Sequence, residues 1–275
     1  FSPPDAGDIL EYRISLTAAS GANNSDVFDV NLVDTLPAGV TYVTNSSSYS
    51  SVAGFVSSSL GVAADNSIGN PDISGNMLSW GLGAAAPSDI DIQVGETVYI
   101  LYRVEVLDSA LANQTLQNRV VPTWSSLDGN NTDERTGAGS FNDYTVAALI
   151  SSVTTSDNND LAKTVVGATF AAGNVRVGDI ITYRLTLTLQ EGTSDTLVIR
   201  DELDPGLEFI DTVSVGSDSS SPFAATAPLT YSDLSAGTEI TTTGTVAAGQ
   251  TVNWSFGNLV NAGNNSSAPA SDTDT

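Results

Sequence analysis

The stretch that decides the fold is Gly-Asp-Ile-Leu-Glu-Tyr-Arg-Ile-Ser-Leu, residues Gly7 to Leu16. Leu10, Tyr12, Ile14 and Leu16 alternate with Glu11, Arg13 and Ser15. A period of two places one set of side chains on a dry face and the other in water, as in a half-buried β-strand. The pattern returns at Ile181, Tyr183, Leu185, Leu187 and Leu189, with Thr182, Arg184, Thr186 and Thr188 between them. Val98, Ile100, Tyr102, Val104 and Val106 read the same way. Turn formers separate such runs, as at Leu36-Pro37-Ala38-Gly39 and Asp204-Pro205-Gly206. Proline presets φ at those corners and glycine supplies a conformation closed to other residues. No window carries a sustained 3.6-residue repeat. The chain is therefore expected to be all-β, of antiparallel sandwich type.

Working outward, the same sequence occurs twice. GDILEYRISL at Gly7 returns as GDIITYRLTL at Gly178, DTLPAGVTYV at Asp34 as DELDPGLEFI at Asp201, and MLSWGLG at Met77 as TVNWSFG at Thr251. The offsets drift while the order holds, which is how two copies of one domain with different loops look. Two domains are expected, residues 1–153 and 154–275. The copies differ in content. ETVYILYRVEVLD and TLQNRVVPTWSSLDG follow Trp80, and nothing like them follows Trp254. LAKTVVGATF precedes the second Gly-Asp, and nothing like it precedes the first. The first repeat is thus expected to lack its opening strand and the second its closing strands, each completed by adjoining chain through strand addition. Trp80 and Trp254 are expected to fill the same core position.

Composition narrows the chemistry. The 275 residues carry 8 basic and 32 acidic side chains, a formal charge of −24, with no cysteine and no histidine. Histidine-based triads, thiol nucleophiles and Cys/His zinc sites are excluded. No disulfide scaffold is available. A strongly acidic surface opposes binding to phosphate backbones, so no nucleic-acid partner is expected. No apolar run reaches the ~18 residues of a membrane span. Scattered paired acids such as Asp89 and Asp91 form no context suited to a hydrolase, and no enzyme activity is expected.

The pattern Gly-Asp-x-x-x-Tyr, then a strand, then Asp-x-Leu-Pro-x-Gly and an aromatic resembles the Ig-like conserved repeat domains of large bacterial surface proteins. These include isopeptide-forming fimbrial proteins and repetitive adhesins. It stands here as Gly7, Asp8, Tyr12, Asp34, Leu36, Pro37, Gly39 and Tyr42, and again as Gly178, Asp179, Tyr183, Asp201, Leu203, Gly206 and Phe209. The second copy departs by placing Pro205 one position late. Asn118 to Tyr144 resembles the end of such repeats. The resemblance implies tandem Ig-like sandwiches on an extracellular cell surface. It implies a structural role as a building unit of a stalk, filament or adhesin shaft, with neighbouring copies as partners, head to tail or strand-complemented. It also implies a covalent candidate. Lys163, the only lysine, opens the second copy, and Asn118 lies late in the first. In such domains a first-strand lysine joins a last-strand asparagine of the same domain beside an assisting acid, so the mate of each residue is expected to lie outside this chain. The competing reading is a surface lysine and an ordinary strand asparagine.

Two oxygen-rich segments are candidates for calcium. Asp128, Asn130, Asp133 and Glu134 fall within seven residues, and Asp157, Asn159 and Asp160 lie at the junction of the copies. Carboxylates and amide carbonyls suit a hard cation, although EF-hand spacing is absent. Solvated turns give the same composition. A calcium-dependent adhesive module gripping glycan or a host protein is the alternative function these segments suggest.

Overall fold

The computed structural model describes residues 3–50, 70–81, 90–129, 133, 144–168, 175–215, 240–263 and 273–274. The protein is all-β, built of antiparallel sheets. Among the described residues no helix is long and apolar enough to cross a membrane, which says nothing of strands. The chain divides into two compact units: residues 8–107 with 115–154, and residues 1–7 with 108–114 and 155–275.

The first of these carries repeat 1. Its strands are β1 (Ile9–Thr17), β2 (Phe28–Thr35), β3 (Val40–Tyr42), β4 (Ser48–Ser50), β5 (Asp72–Ser74), β6 (Met77–Gly81), β7 (Thr97–Val106), β8 (Thr115–Ser125), β9 (Tyr144–Thr145) and β10 (Leu149–Thr154). One sheet runs β1-β7-β3, with β4 also on β7; the other runs β10-β8-β2-β6-β5, with β9 on β8. The deciding stretch forms β1, antiparallel to β7 over its whole length, from Ile9 opposite Glu105 to Thr17 opposite Thr97. Its alternation is realised: Leu10 and Ile14 are buried while Glu11, Arg13 and Ser15 are exposed. Val30 and Leu32 of β2, Leu78 and Trp80 of β6, Ile100, Tyr102 and Val104 of β7, and Leu116 of β8 close the core. Each fully buried aliphatic side chain there contributes about 1.5–3 kcal/mol of transfer free energy.

A bulge sets the entry to β2. The register shifts between Phe28 and Asn31, and Asp29 there has φ 49°. Aspartate tolerates that conformation better than most residues. Its amide donates to Asp91 Oδ1 at 3.1 Å and its Oδ2 accepts from the Gly129 amide at 3.0 Å. Opposite, Gly81 ends β6 with φ 91°, and a Cβ there would lie 1.8 Å from the Val30 carbonyl oxygen. Only glycine fits that crossing.

The second unit carries repeat 2 on β11 (Asp160–Ala168), β12 (Ile181–Gln190), β13 (Gly192–Leu203), β14 (Ile240–Thr245), β15 (Gly249–Asn261) and β16 (Thr273–Asp274). They form two sheets, β11-β12-β16 and β13-β15-β14. β12 is the repeat of β1, β13 of β2 and β15 of β6. Among the described residues only the two-residue β16 lies along β12 where β7 lies along the whole of β1, and no strand pairs with β13 as β8 does with β2. The consequence is visible in the burial. Ile181 and Leu185 are half-buried, whereas their counterparts Leu10 and Ile14 of repeat 1 are buried. The tryptophans differ for the same reason. Trp80 is fully buried, 5.2 Å from the Tyr102 ring. Trp254 is half-buried, edge-on to Phe209 at 5.9 Å, and its Nε1 donates to Thr212 Oγ1 at 2.8 Å. The two stand at the same register position, Trp80 opposite Leu32 and Trp254 opposite its repeat Ile199, but among the described residues Trp254 has no counterpart of Tyr102 to pack on.

Candidate functional site

On β2 the inward positions run Val30, Leu32, Asp34. The alternation that buries two aliphatics therefore buries a carboxylate, 1% exposed, in the core of repeat 1. On β8 the inward run Leu116, Asn118, Val120 buries an amide in the same way. On β7 Tyr102 faces the same interior. The three polar groups meet. Asp34 Oδ2 accepts from the Tyr102 hydroxyl and from Asn118 Nδ2 at 3.1 Å. Asn118 Nδ2 also donates to the Tyr102 oxygen at 2.7 Å, and Asn118 Oδ1 accepts from the Arg119 amide at 3.0 Å. Aromatic rings wall the cluster: Tyr12 stacks on Tyr102 at 5.5 Å, and Tyr42 lies 6.5 Å away.

The cluster is incompletely paired. Among the described residues Asp34 Oδ1, Tyr12 Oη and Trp80 Nε1 are buried with no hydrogen-bond partner. Burial raises the Asp34 carboxyl above the ordinary carboxylate range, against the opposing pull of the bonds from Tyr102 and Asn118. Burial raises the Tyr102 phenol strongly, and the neighbouring Asp34 charge adds to it. Burial, then Asp34, raises Tyr12 likewise. A carboxyl in such a place is poised to take up and return a proton.

Repeat 2 presents the corresponding site with different occupants. Asp201 of β13 matches Asp34, and Tyr183 of β12 matches Tyr12. Lys163 stands on β11 opposite Leu185 of β12, so its side chain shares the inward face with Tyr183. Its Nζ lies 4.4 Å over the Tyr183 ring and bonds both Asp201 oxygens, at 2.6 and 2.8 Å. The pair is more open than its counterpart, with side chains 36% and 12% exposed.

The two crosslink candidates, Lys163 and Asn118, fall in different compact units, each hydrogen-bonded to its own repeat's aspartate. Asp34, Tyr102 and Asp201 were not among the expected site residues. Their signal is a charged or hydroxylated side chain at an inward position of an alternating strand.

Of the oxygen-rich segments, Asn130 and Glu134 lie outside the described residues. Asp128 and Asp133 are exposed. At the junction, Asp157 Oδ2 accepts from Asn113 Nδ2 at 2.6 Å and its Oδ1 from Asn159 Nδ2 at 3.1 Å. Asn159 Oδ1 accepts from the Gln190 amide at 3.1 Å, and Asp160 begins β11, exposed. Among the described residues no three acidic side chains gather where they could share a cation.

No protein family matches the chain, and no curated protein matches it. Two solved structures are similar to it in part. One is AvmM, described as catalysing macrocyclization in alchivemycin A biosynthesis, at 11% identity over 56% of this chain and 82% of that one, with a TM-score of 0.31. The other is the T6 backbone pilin of serotype M6 Streptococcus pyogenes, a modular three-domain protein, at 13% identity over 69% of this chain and 43% of that one, with a TM-score of 0.34. Likenesses of this size decide nothing about activity.

Proposed function

We propose that the chain is an extracellular structural protein, a building unit of a bacterial surface stalk, filament or adhesin shaft. Its sandwiches, in this reading, are of the kind locked by an amide bond between a lysine and an asparagine. One observation carries it. An inward aspartate recurs at the same place in both repeats, holding the Asn118 amide in one and the Lys163 amine in the other. Amine, amide and acid are the three groups such a bond needs.

The chemistry balances without a cofactor. The neutral lysine Nζ attacks the asparagine Cγ, and a C–N bond forms. The Cγ–Nδ2 bond breaks, and Nδ2 leaves as ammonia with a proton from the amine, relayed by the aspartate carboxyl. At Asp34 the raised carboxyl and its aromatic walls favour the protonated acid such a relay requires. A surface charge of one sign keeps such a molecule soluble and repels nonspecific partners.

Two measurements test the reading. Antibodies to the chain should decorate extended surface structures on the cells that make it; labelling confined to the cytoplasm refutes the structural role. Peptide mass mapping of the protein recovered from those cells should show the Lys163 peptide joined to an asparagine peptide, lighter by one ammonia. An unlinked Lys163 peptide in full yield refutes the crosslink.

A further inference from the structure

We propose that the outer edge of β1 is a docking site for β11 of a second copy of this chain, which inserts Lys163 against Asp34. The inference rests on the structural reading above and adds the identity of the partner.

Four observations converge on it. β1 is the last strand of its sheet, and among the described residues nothing pairs with its other edge. Its repeat, β12, carries β11 along one edge in antiparallel register, with Lys163 opposite Leu185 and Val165 opposite Tyr183. Laid on β1 in the same register, a β11 strand sets Lys163 opposite Ile14 and Val165 opposite Tyr12. An exposed strand edge offers a row of backbone donors and acceptors to such a guest.

The site also lacks what the strand brings. Among the described residues Asp34 Oδ1 and Tyr12 Oη are buried in the core of repeat 1 without hydrogen-bond partners. In repeat 2 the matching aspartate and tyrosine are the two groups that the lysine touches. An ammonium supplies three donors and a charge opposite to that of the acid. Lys163, the one lysine of residues 1–275, stands on β11.

The guest is loosely held at home. Seven of the nine β11 residues in a row are exposed, and Lys163 itself is 36% exposed. Transfer to the closed sandwich of repeat 1 exchanges a half-wet ion pair for one enclosed by packed aromatic rings. The opposing term is charge. Each copy carries −24, so association should strengthen as salt screens the repulsion.

The test uses the full chain and a labelled synthetic peptide of residues 159–169, measured by fluorescence anisotropy. Expected is binding that weakens at least about tenfold when the peptide carries Lys163→Ala, the loss of one buried charged hydrogen-bonded contact. Expected too is a comparable loss with the chain variant Asp34→Asn, and none with Asp201→Asn. Equal binding of the lysine and alanine peptides overturns the proposal, and needs no chain variant to fold. Loss at Asp201→Asn but not at Asp34→Asn overturns it as well, placing the peptide in repeat 2. Sedimentation of the full chain should show concentration-dependent self-association in high salt that Lys163→Ala abolishes. A monomer at all concentrations overturns a second copy as the occupant. These outcomes are separate from cell-surface labelling and from the mass of the Lys163 peptide, so the docking can fail while the structural reading stands.

Discussion

Two tyrosines on neighbouring strands permit the same substitution with opposite expected signs. Tyr102 and Tyr12 stack at 5.5 Å, and both hydroxyls lie in the core of repeat 1. The Tyr102 hydroxyl donates to Asp34 and accepts from Asn118. Tyr102→Phe keeps the ring and its contacts with Trp80 and Tyr12, and deletes a hydrogen bond to a carboxyl. Such bonds contribute about 1.5–3 kcal/mol. For a domain of this size that corresponds to a fall of roughly 3–12 °C in thermal midpoint. The Tyr12 hydroxyl has no partner among the described residues. Tyr12→Phe removes a buried unpaired group whose desolvation costs about 1–3 kcal/mol. The midpoint should hold or rise by a few degrees. Calorimetry on the two variants and the parent decides it. If Tyr12→Phe is destabilised as much as Tyr102→Phe, the hydroxyl is satisfied and the description of the cluster is wrong.

Three other outcomes follow from the same geometry. Asp34 keeps its proton to higher pH in the folded chain than in the unfolded one, so its stabilising contribution is complete below the unfolded carboxylate range, near ~3.9, and is lost as pH rises through the raised folded value. The stability of the parent relative to Asp34→Asn should therefore fall as pH rises above about 4, the unfolded carboxylate range; a difference independent of pH contradicts a raised carboxyl. Lys163→Ala should cost no more than about 1 kcal/mol in the isolated chain, because the pair is partly solvated, and the loss should shrink in high salt. Gly81→Ala should cost more than about 3 kcal/mol or abolish folding of repeat 1, since its Cβ meets the Val30 carbonyl at 1.8 Å; a midpoint within a degree or so of the parent rules out that crossing.

The sandwich strands were legible because burial on one face writes itself as a period of two. Leu10 to Leu16 and Val98 to Val106 read directly as β1 and β7. The duplicated stretches mark β12, β13 and β15 in the same way. The cluster was harder to read, for a physical reason. Asp34 opens a Leu-Pro-Ala-Gly turn in the sequence, and aspartate before a turn is ordinary. Only the register of β2, fixed by the bulge at Asp29, turns Asp34 inward beside Leu32. Asn118 and Lys163 drew attention through resemblance. Their aspartate partners lie far off in sequence, Asp34 on the strand paired beside Asn118 and Asp201 on the sheet facing Lys163, and no local pattern encodes such contacts. Trp254 shows the converse: a matching motif does not bring a matching environment when the strands that would cover it are not alongside.

The glycine at the end of β6 has a mechanical meaning. Gly81 passes Val30 so closely that sliding β6 by two residues, to bring Ser79 into its place, would drive a side chain into a peptide group. That notch acts as a ratchet against shear between the two strands in one direction. A pull along the chain in that sense would have to peel the pair apart rather than let it creep, and the aspartate three residues beyond Asn31 would hold its position until the pair gave way.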